Sequence, residues 1–216
     1  MALACLAGRA ARASPSLRVA CPIPIKAARR RLMMMLSALL AMLGGFLQPA
    51  ERRYAVDPAR STVNATVGFF GIGSKTARFP RVDGAVTVGE GGVRLDVRLD
   101  AAALKASDGV TERRLKGENF FDVGRYPVVS FAGAGLKPTG PAAGTIQGNL
   151  TARGVTRPVT LEVRFSRPVA ALGSGERFHV SAKTEIDRRD FGMTAYPVVV
   201  GRRVRIVIEA DLQPSG

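Results

Sequence analysis

Residues 92–100 read Gly-Val-Arg-Leu-Asp-Val-Arg-Leu-Asp, so every second side chain from Val93 onward is aliphatic and its neighbours are charged. Successive side chains of an extended strand point to opposite faces, which puts Val93, Leu95, Val97 and Leu99 on one face and Arg94, Asp96, Arg98 and Asp100 on the other. This is a half-buried strand. The same period of two recurs on both sides of it. Val63, Ala65, Val67 and Phe69 oppose Thr62, Asn64 and Thr66, and Val159, Leu161, Val163 and Phe165 oppose Thr160, Glu162 and Arg164. Near the C-terminus Val204, Ile206 and Ile208 oppose Arg203 and Arg205.

Eight runs of this kind lie near 61–69, 81–89, 92–100, 127–134, 144–152, 158–166, 176–187 and 202–212. Turn residues separate them: Gly89–Gly92 joins two runs tightly, Pro138–Gly144 joins two more, and Gly154–Pro158 makes another short connection. An all-β domain is expected. Eight strands suit an antiparallel barrel, whose closure removes exposed edges and leaves an interior either filled or able to hold one ligand. A β-sandwich is the competing architecture on pattern alone. One segment breaks the period: Ser107–Gly117 offers Ser107 or Asp108 as N-cap, helix formers from Glu112 to Lys116 and Gly117 as a stop, which predicts one short helix between the third and fourth strands. The adjacent Phe120 and Phe121 follow it, placed to cover one barrel mouth.

The chain has 216 residues, consistent with one domain after an N-terminal leader, and contains 24 Gly, 13 Pro and no Trp. Its formal charge of +15 suggests a nucleic-acid partner until it is divided along the sequence. Residues 1–53 carry nine Lys or Arg and one acid, leaving 23 basic and 16 acidic residues from Tyr54 onward. Much of that remainder alternates in sign along strands, as on a solvated sheet face, so no nucleic-acid partner is expected. Residues 29–47, Arg-Arg-Arg followed by a mostly apolar stretch, read as the charged and apolar regions of a signal peptide, with an uncleaved inner-membrane anchor as the alternative. Export is the expectation. Cys5 and Cys21 both lie in the leader, so the domain over 54–216 needs no disulfide.

Catalytic signals are weak. His179 is the only histidine and falls on the polar side of its strand, opposite Phe178, Val180 and Ala182, which excludes a multi-histidine metal site. Asp187 and Asp190 could form an acid pair, but beside Arg188 and Arg189 they read first as a polar strand end. No phosphate loop, Ser-His-Asp set or metal-ligand cluster appears, so an enzyme, a metal or another resident cofactor is not expected.

Residues 115–131, LKGENFFDVGRYPVVSF, resemble the YceI-like family of polyisoprenoid-binding, lipocalin-like periplasmic proteins. Three further blocks resemble it in the same order: Tyr54–Pro58 with Ser61, Gly148–Val159, and Ile186–Met193. Together they span Tyr54 to Asp211. Phe69 stands where family members often carry His, and Arg113-Arg114 where they often carry Arg-Asp, so the resemblance leaves the ligand's head group open. It implies an eight-stranded up-and-down barrel enclosing an apolar lipid, an isoprenoid or quinone. Phe69, Phe79, Leu115, Phe120, Phe121, Phe131, Phe191 and Met193 are the candidate lumen or mouth residues, expected to touch that ligand together. A peripheral or anchored membrane contact and a dimer are both compatible with this reading. A hydrolase or isomerase acting on the lipid, and a ligand-free partner-binding stress protein, are the alternatives.

Overall fold

The structure is a computed structural model that describes residues 51–71 and 73–215; Cys5, Cys21 and the 29–47 segment expected in the leader lie outside the described residues. Eleven strands form one sheet in which every pairing is antiparallel: β1 (Arg52–Val56), β2 (Thr62–Phe69), β3 (Gly73–Phe79), β4 (Val82–Gly89), β5 (Gly92–Asp100), β6 (Lys105–Ala106), β7 (Val128–Gly140), β8 (Ala143–Ala152), β9 (Val155–Phe165), β10 (Phe178–Asp187) and β11 (Val200–Pro214). The sheet closes because β11 pairs with both strands at the start of the domain. Its C-terminal end meets β1, with Val56 opposite Leu212, and its N-terminal part meets β2, with Val63 opposite Ile208.

The eleven strands make eight staves, because the first three staves are each interrupted once. β1 and β2 run in line along β11, β3 and β4 run in line beside them, and β5 and β6 follow. Each break has a local cause. Asp57 accepts a hydrogen bond from Ala59 N–H at 3.0 Å in a turn that also contains Pro58. Pro80 separates β3 from β4, where its missing N–H ends the ladder. Between β5 and β6 the chain dips inward, with Ala101 and Leu104 fully buried and Ala103 N–H bonded to Asp100 Oδ1 at 3.1 Å.

Staves one to eight follow chain order around the ring, so the architecture is an eight-stave, up-and-down barrel with one short α-helix. The eight runs read from the sequence omit β1, β3 and β6. β3, Gly-Ser-Lys-Thr-Ala-Arg-Phe, has too few apolar residues to show the alternation, although Ala77 and Phe79 are both buried. The expected connection over 154–158 is shorter in the structure. Arg153 and Gly154, with φ of 51° and 72°, make a two-residue turn of the kind that joins twisted strands tightly, and β9 starts at Val155. Pro158 thus lies inside a strand. It is tolerated because β9 pairs with β10 only from Glu162 to Phe165, leaving the edge around Pro158 without a ladder partner on that side.

Helix α1 (Gly109–Lys116) sits between staves three and four. Asp108 caps it, accepting from Thr111 N–H at 2.8 Å, and Lys75 of β3 pairs with the same carboxylate at 2.9 Å. Glu112 and Lys116, one turn apart, add an ion pair at 2.8 Å. At the opposite end of the barrel the 3₁₀ turn Val169–Ser174 folds across the opening. Tyr54 anchors it. This fully buried side chain donates its hydroxyl to Leu172 O at 2.5 Å, accepts from Gly175 N–H at 3.0 Å, and packs edge-on against Phe178 with ring centroids 4.9 Å apart. One end of the barrel is therefore floored. Replacing Tyr54 by Phe keeps the ring and strands both backbone partners, so equilibrium denaturation of Tyr54→Phe is expected to show a loss of about 1–3 kcal/mol.

Candidate functional site

The inward rows of the staves enclose a cavity of about 150 Å³. Val93, Leu95, Val97 and Leu99 of β5 line it, as do Val159, Leu161, Val163 and Phe165 of β9 and Val204, Ile206 and Ile208 of β11. Its only polar lining side chains are Ser130, Thr184 and Arg188, and the Thr184 hydroxyl is already donated to Thr160 O at 2.9 Å. An apolar cavity with so few partners for water favours an apolar guest.

Space remains because small residues alternate with large ones. Ala65, Ala152, Ala182 and Ala210 all face the cavity. Gly133 and Gly148 lie opposite each other on β7 and β8, and Phe131 lies across both: a Cβ at Gly148 would come within 2.5 Å of the Phe131 ring. With no side chain at either position, the ring rests close to the sheet instead of standing into the lumen.

A second cavity of about 310 Å³ lies at the unfloored end, between β2, β3, α1 and the segment from Met193 to Val200. Ala65, Phe121, Arg188, Met193 and Val204 line both cavities, so the mouth and the lumen share a wall. Of the candidate residues, Phe79, Phe131 and Phe191 line the lumen, Phe69, Leu115 and Phe120 line the mouth, and Phe121 and Met193 line both. Phe79 and Phe121 meet edge to face at 5.7 Å, which joins β3 to the loop after α1.

Arg188 is the residue that sequence reasoning overlooked. It is 4% exposed, and its guanidinium donates to three backbone carbonyls: Gly201 O and Val200 O at 2.9 Å each, and Met193 O. No carboxylate stands within 4 Å of it among the described residues. Burial lowers its pKa from the ordinary guanidinium value, yet arginine stays charged in proteins. The parity of β10 carried the signal. Val180, Ala182, Thr184 and Ile186 all point inward, and continuing the alternation by two puts Arg188 on the same side.

Asp187 is not free to serve in an acid pair. It accepts three hydrogen bonds from the Arg189 guanidinium, the shortest at 2.7 Å, and caps the 3₁₀ turn Arg188–Phe191 through Arg189 N–H. Hydrogen bonding from Arg189 holds its carboxyl down at about 2, so it is ionised and spoken for. His179 lies on the outer face, with Nδ1 at 2.7 Å from Asp211 and Nε2 at 2.9 Å from Glu209. Among the described residues no group of three or more His, Cys, Asp or Glu is placed to hold a metal ion, and no helix is long and apolar enough to cross a membrane.

The fold and site define a closed antiparallel barrel with an apolar lumen, floored at one end and open at the other. The chain belongs to the YceI-like domain family, whose model matches residues 54–212. It is 31% identical over 100 residues to a UPF0312 protein of Pseudomonas putida strain GB-1, a match covering 46% of this chain and 52% of that one. A UPF0312 protein of Azotobacter vinelandii is 25% identical over 118 residues, with 55% and 62% covered. The matches thus span about half the length of the curated relatives. Among solved structures, BcnA of Burkholderia cenocepacia superposes with a TM-score of 0.64 at 20% identity, covering 72% of this chain and 98% of BcnA. A polyisoprenoid binding domain from Saccharophagus degradans gives 0.58 at 15% identity, covering 75% and 98%. At these identities the likeness is one of fold.

Two side chains give direct tests. Arg188→Met is expected to lose on the order of 2–3 kcal/mol in chemical denaturation and to speed amide exchange over 193–201, because three carbonyls lose their donor at once. Arg188→Lys should rescue little, since an ammonium offers its donors from a single nitrogen and cannot span acceptors served by three separate guanidinium nitrogens. The two carboxylates raise the His179 pKa above its ordinary 6.5, chiefly through the hydrogen bond to Asp211. Its contribution to stability is therefore complete below pH 6.5 and fades as pH rises through the folded-state value. The melting-temperature gap between the wild type and His179→Asn should be wider at mildly acidic pH, below 6.5, than at alkaline pH.

Proposed function

We propose that this protein is an exported, periplasmic binding or carrier protein that encloses a long isoprenoid-like lipid, of polyprenyl or quinone type, in its lumen. The observation that carries this reading is the shared wall of lumen and mouth. A chain entering past Phe121 and Met193 meets aliphatic side chains from almost every stave and only Ser130, Thr184 and Arg188 as polar neighbours. Burial of apolar chain contributes roughly 0.8 kcal/mol per CH₂ before the cost of ordering it, so a lipid of tens of carbons can be held without polar contacts. Membership of the YceI-like family, and a fold shared with a domain named for polyisoprenoid binding, support the ligand class. The charged and apolar segment at 29–47 supports export.

A carrier fits better than a hydrolase or isomerase. The lumen presents no carboxylate, histidine or cysteine to a bound lipid, and the Asp187 carboxylate is committed to Arg189. The head group lies at the mouth in this reading, beside Arg188, Arg114 and the Lys75–Asp108 ion pair.

Native mass spectrometry of protein purified from its host without detergent should find a co-purifying isoprenoid lipid. Fully folded protein that carries none, and takes none up from added isoprenoid, would rule the reading out. Ala182→Phe, which fills the lumen from β10, is expected to lower affinity for a long-chain isoprenoid at least about tenfold while the protein stays folded. An unchanged affinity would place the ligand elsewhere.

A further inference from the structure

The mouth is ringed by exposed apolar side chains. Five large hydrophobic residues are exposed among the described residues, and four of them belong to this end: Val110 and Tyr196 line the mouth, and Phe70 and Val198 adjoin its lining residues Phe69 and Val199. Val198 is 93% exposed and Phe70 61%. The fifth, Val128, opens β7 on the barrel wall, so none belongs to the floored end with its hairpins at 89–92 and 140–143. Scattered surface hydrophobics need no explanation, but a set gathered at one opening marks an interaction surface.

The rim is built and held. Phe70 N–H donates to Val199 O at 2.8 Å, which fixes the β2–β3 tip beside the turn carrying Tyr196 and Val198. Val199 N–H and Val200 N–H both return to Tyr196 O, at 3.1 and 2.9 Å. Phe70 and Tyr196 have φ of 52° and 53°, a left-handed conformation that bulky aromatic residues seldom adopt. Such backbone persists where the surroundings over-determine it, and here it leaves Phe70 largely in solvent and Tyr196 half exposed with its ring stacked on Phe120.

The charge beside these tips is positive. Arg113, Arg114 and Arg202 have no carboxylate within 4 Å among the described residues, and the Arg114 guanidinium lies 5.7 Å from the centre of the Tyr196 ring. Apolar tips that can enter the acyl boundary, flanked by arginines at head-group level, are the two elements that hold a peripheral protein on an anionic bilayer. A protein partner would be better served by one contiguous groove. These side chains instead occupy separate tips on α1, the β2–β3 turn and the 193–199 segment, arranged about an opening.

We propose that this rim is a membrane-docking edge for a bilayer with anionic head groups, on which the barrel sits mouth down. Resting on the carrier reading above, docking lets an apolar cargo pass between bilayer and lumen without crossing water.

The chain has no Trp, so a single introduced one reports on its own surroundings. In the full chain, Val198→Trp at the rim is compared with Glu90→Trp at the far hairpin, using vesicles of phosphatidylethanolamine with phosphatidylglycerol and vesicles of phosphatidylcholine alone. The V198W emission is expected to shift to the blue and to be quenched by brominated acyl chains on the anionic vesicles, while E90W does neither. Adding Phe70→Ser to V198W should weaken this response at least about tenfold with an unchanged melting temperature, and Arg114→Gln with Arg202→Gln should abolish the preference for anionic lipid. No shift for V198W, an equal response from E90W, or indifference to Phe70→Ser overturns the proposal, and capture by a protein in place of vesicles does so too. Lipid occupancy is read separately by native mass spectrometry. An occupied protein that fails to dock overturns docking alone, whereas docking by a protein that never carries lipid upholds this proposal and defeats the carrier reading.

Discussion

β11 carries the constraint on which the rest of the barrel depends. Its fifteen residues pair with β10 along one side and with β1 and β2 along the other, so the last stave hydrogen-bonds to the first. Each stave has an aliphatic inner row that must be kept from water and a polar outer row that must not be. Closure meets both demands and leaves an open edge only where β9 and β10 part, around Pro158. The aliphatic rows then face one another across a common space. Whether that space is solid or hollow depends on side-chain volume, and the alanines at 65, 152, 182 and 210, with the glycine pair at 133 and 148, keep it hollow.

The two ends of the barrel are finished differently. At the floor, Tyr54 and the 169–174 turn form a hydrogen-bonded plug, with Phe165 and Phe178 packed edge to face beside it. At the mouth the interrupted staves β2, β3 and β6 extend past the ring that β1, β4 and β5 complete, and α1 and the 193–199 segment stand beside them. Arg188 holds this side together. A buried cation spread over three carbonyls is a costly way to fix a loop, since its desolvation must be offset by those bonds. It also leaves a positive charge where lumen and mouth meet. The same side chain thus shapes the entrance and sets its electrostatics.

Sequence alone determined the strands whose inner and outer rows differ sharply in polarity. β5, β9 and β11 alternate aliphatic with charged or polar residues, and such a run is extended wherever it lies in the fold. It also determined α1, because Asp108, the helix formers and Gly117 act within one local segment. Among the candidate aromatic residues, alternation marked Phe69, the family resemblance marked Phe120, Phe121 and Phe191, and both marked Phe131, whereas Phe79 lay outside the runs and the matching blocks.

Only the tertiary structure decided which of them line the lumen, which line the mouth and which line both, because that depends on register between strands distant in sequence. β1, β3 and β6 were invisible for a related reason: they are short or polar, and pairing with β11, β2 and β3, not their own pattern, makes them strands. Arg188 was read as one more surface charge at a strand end. Its burial follows from parity along β10, but its three acceptors come from residues five to thirteen positions on and exist as a set only once the 193–201 segment folds back over the barrel. The period of two tells which way a side chain points; what it meets there is fixed by the closed ring.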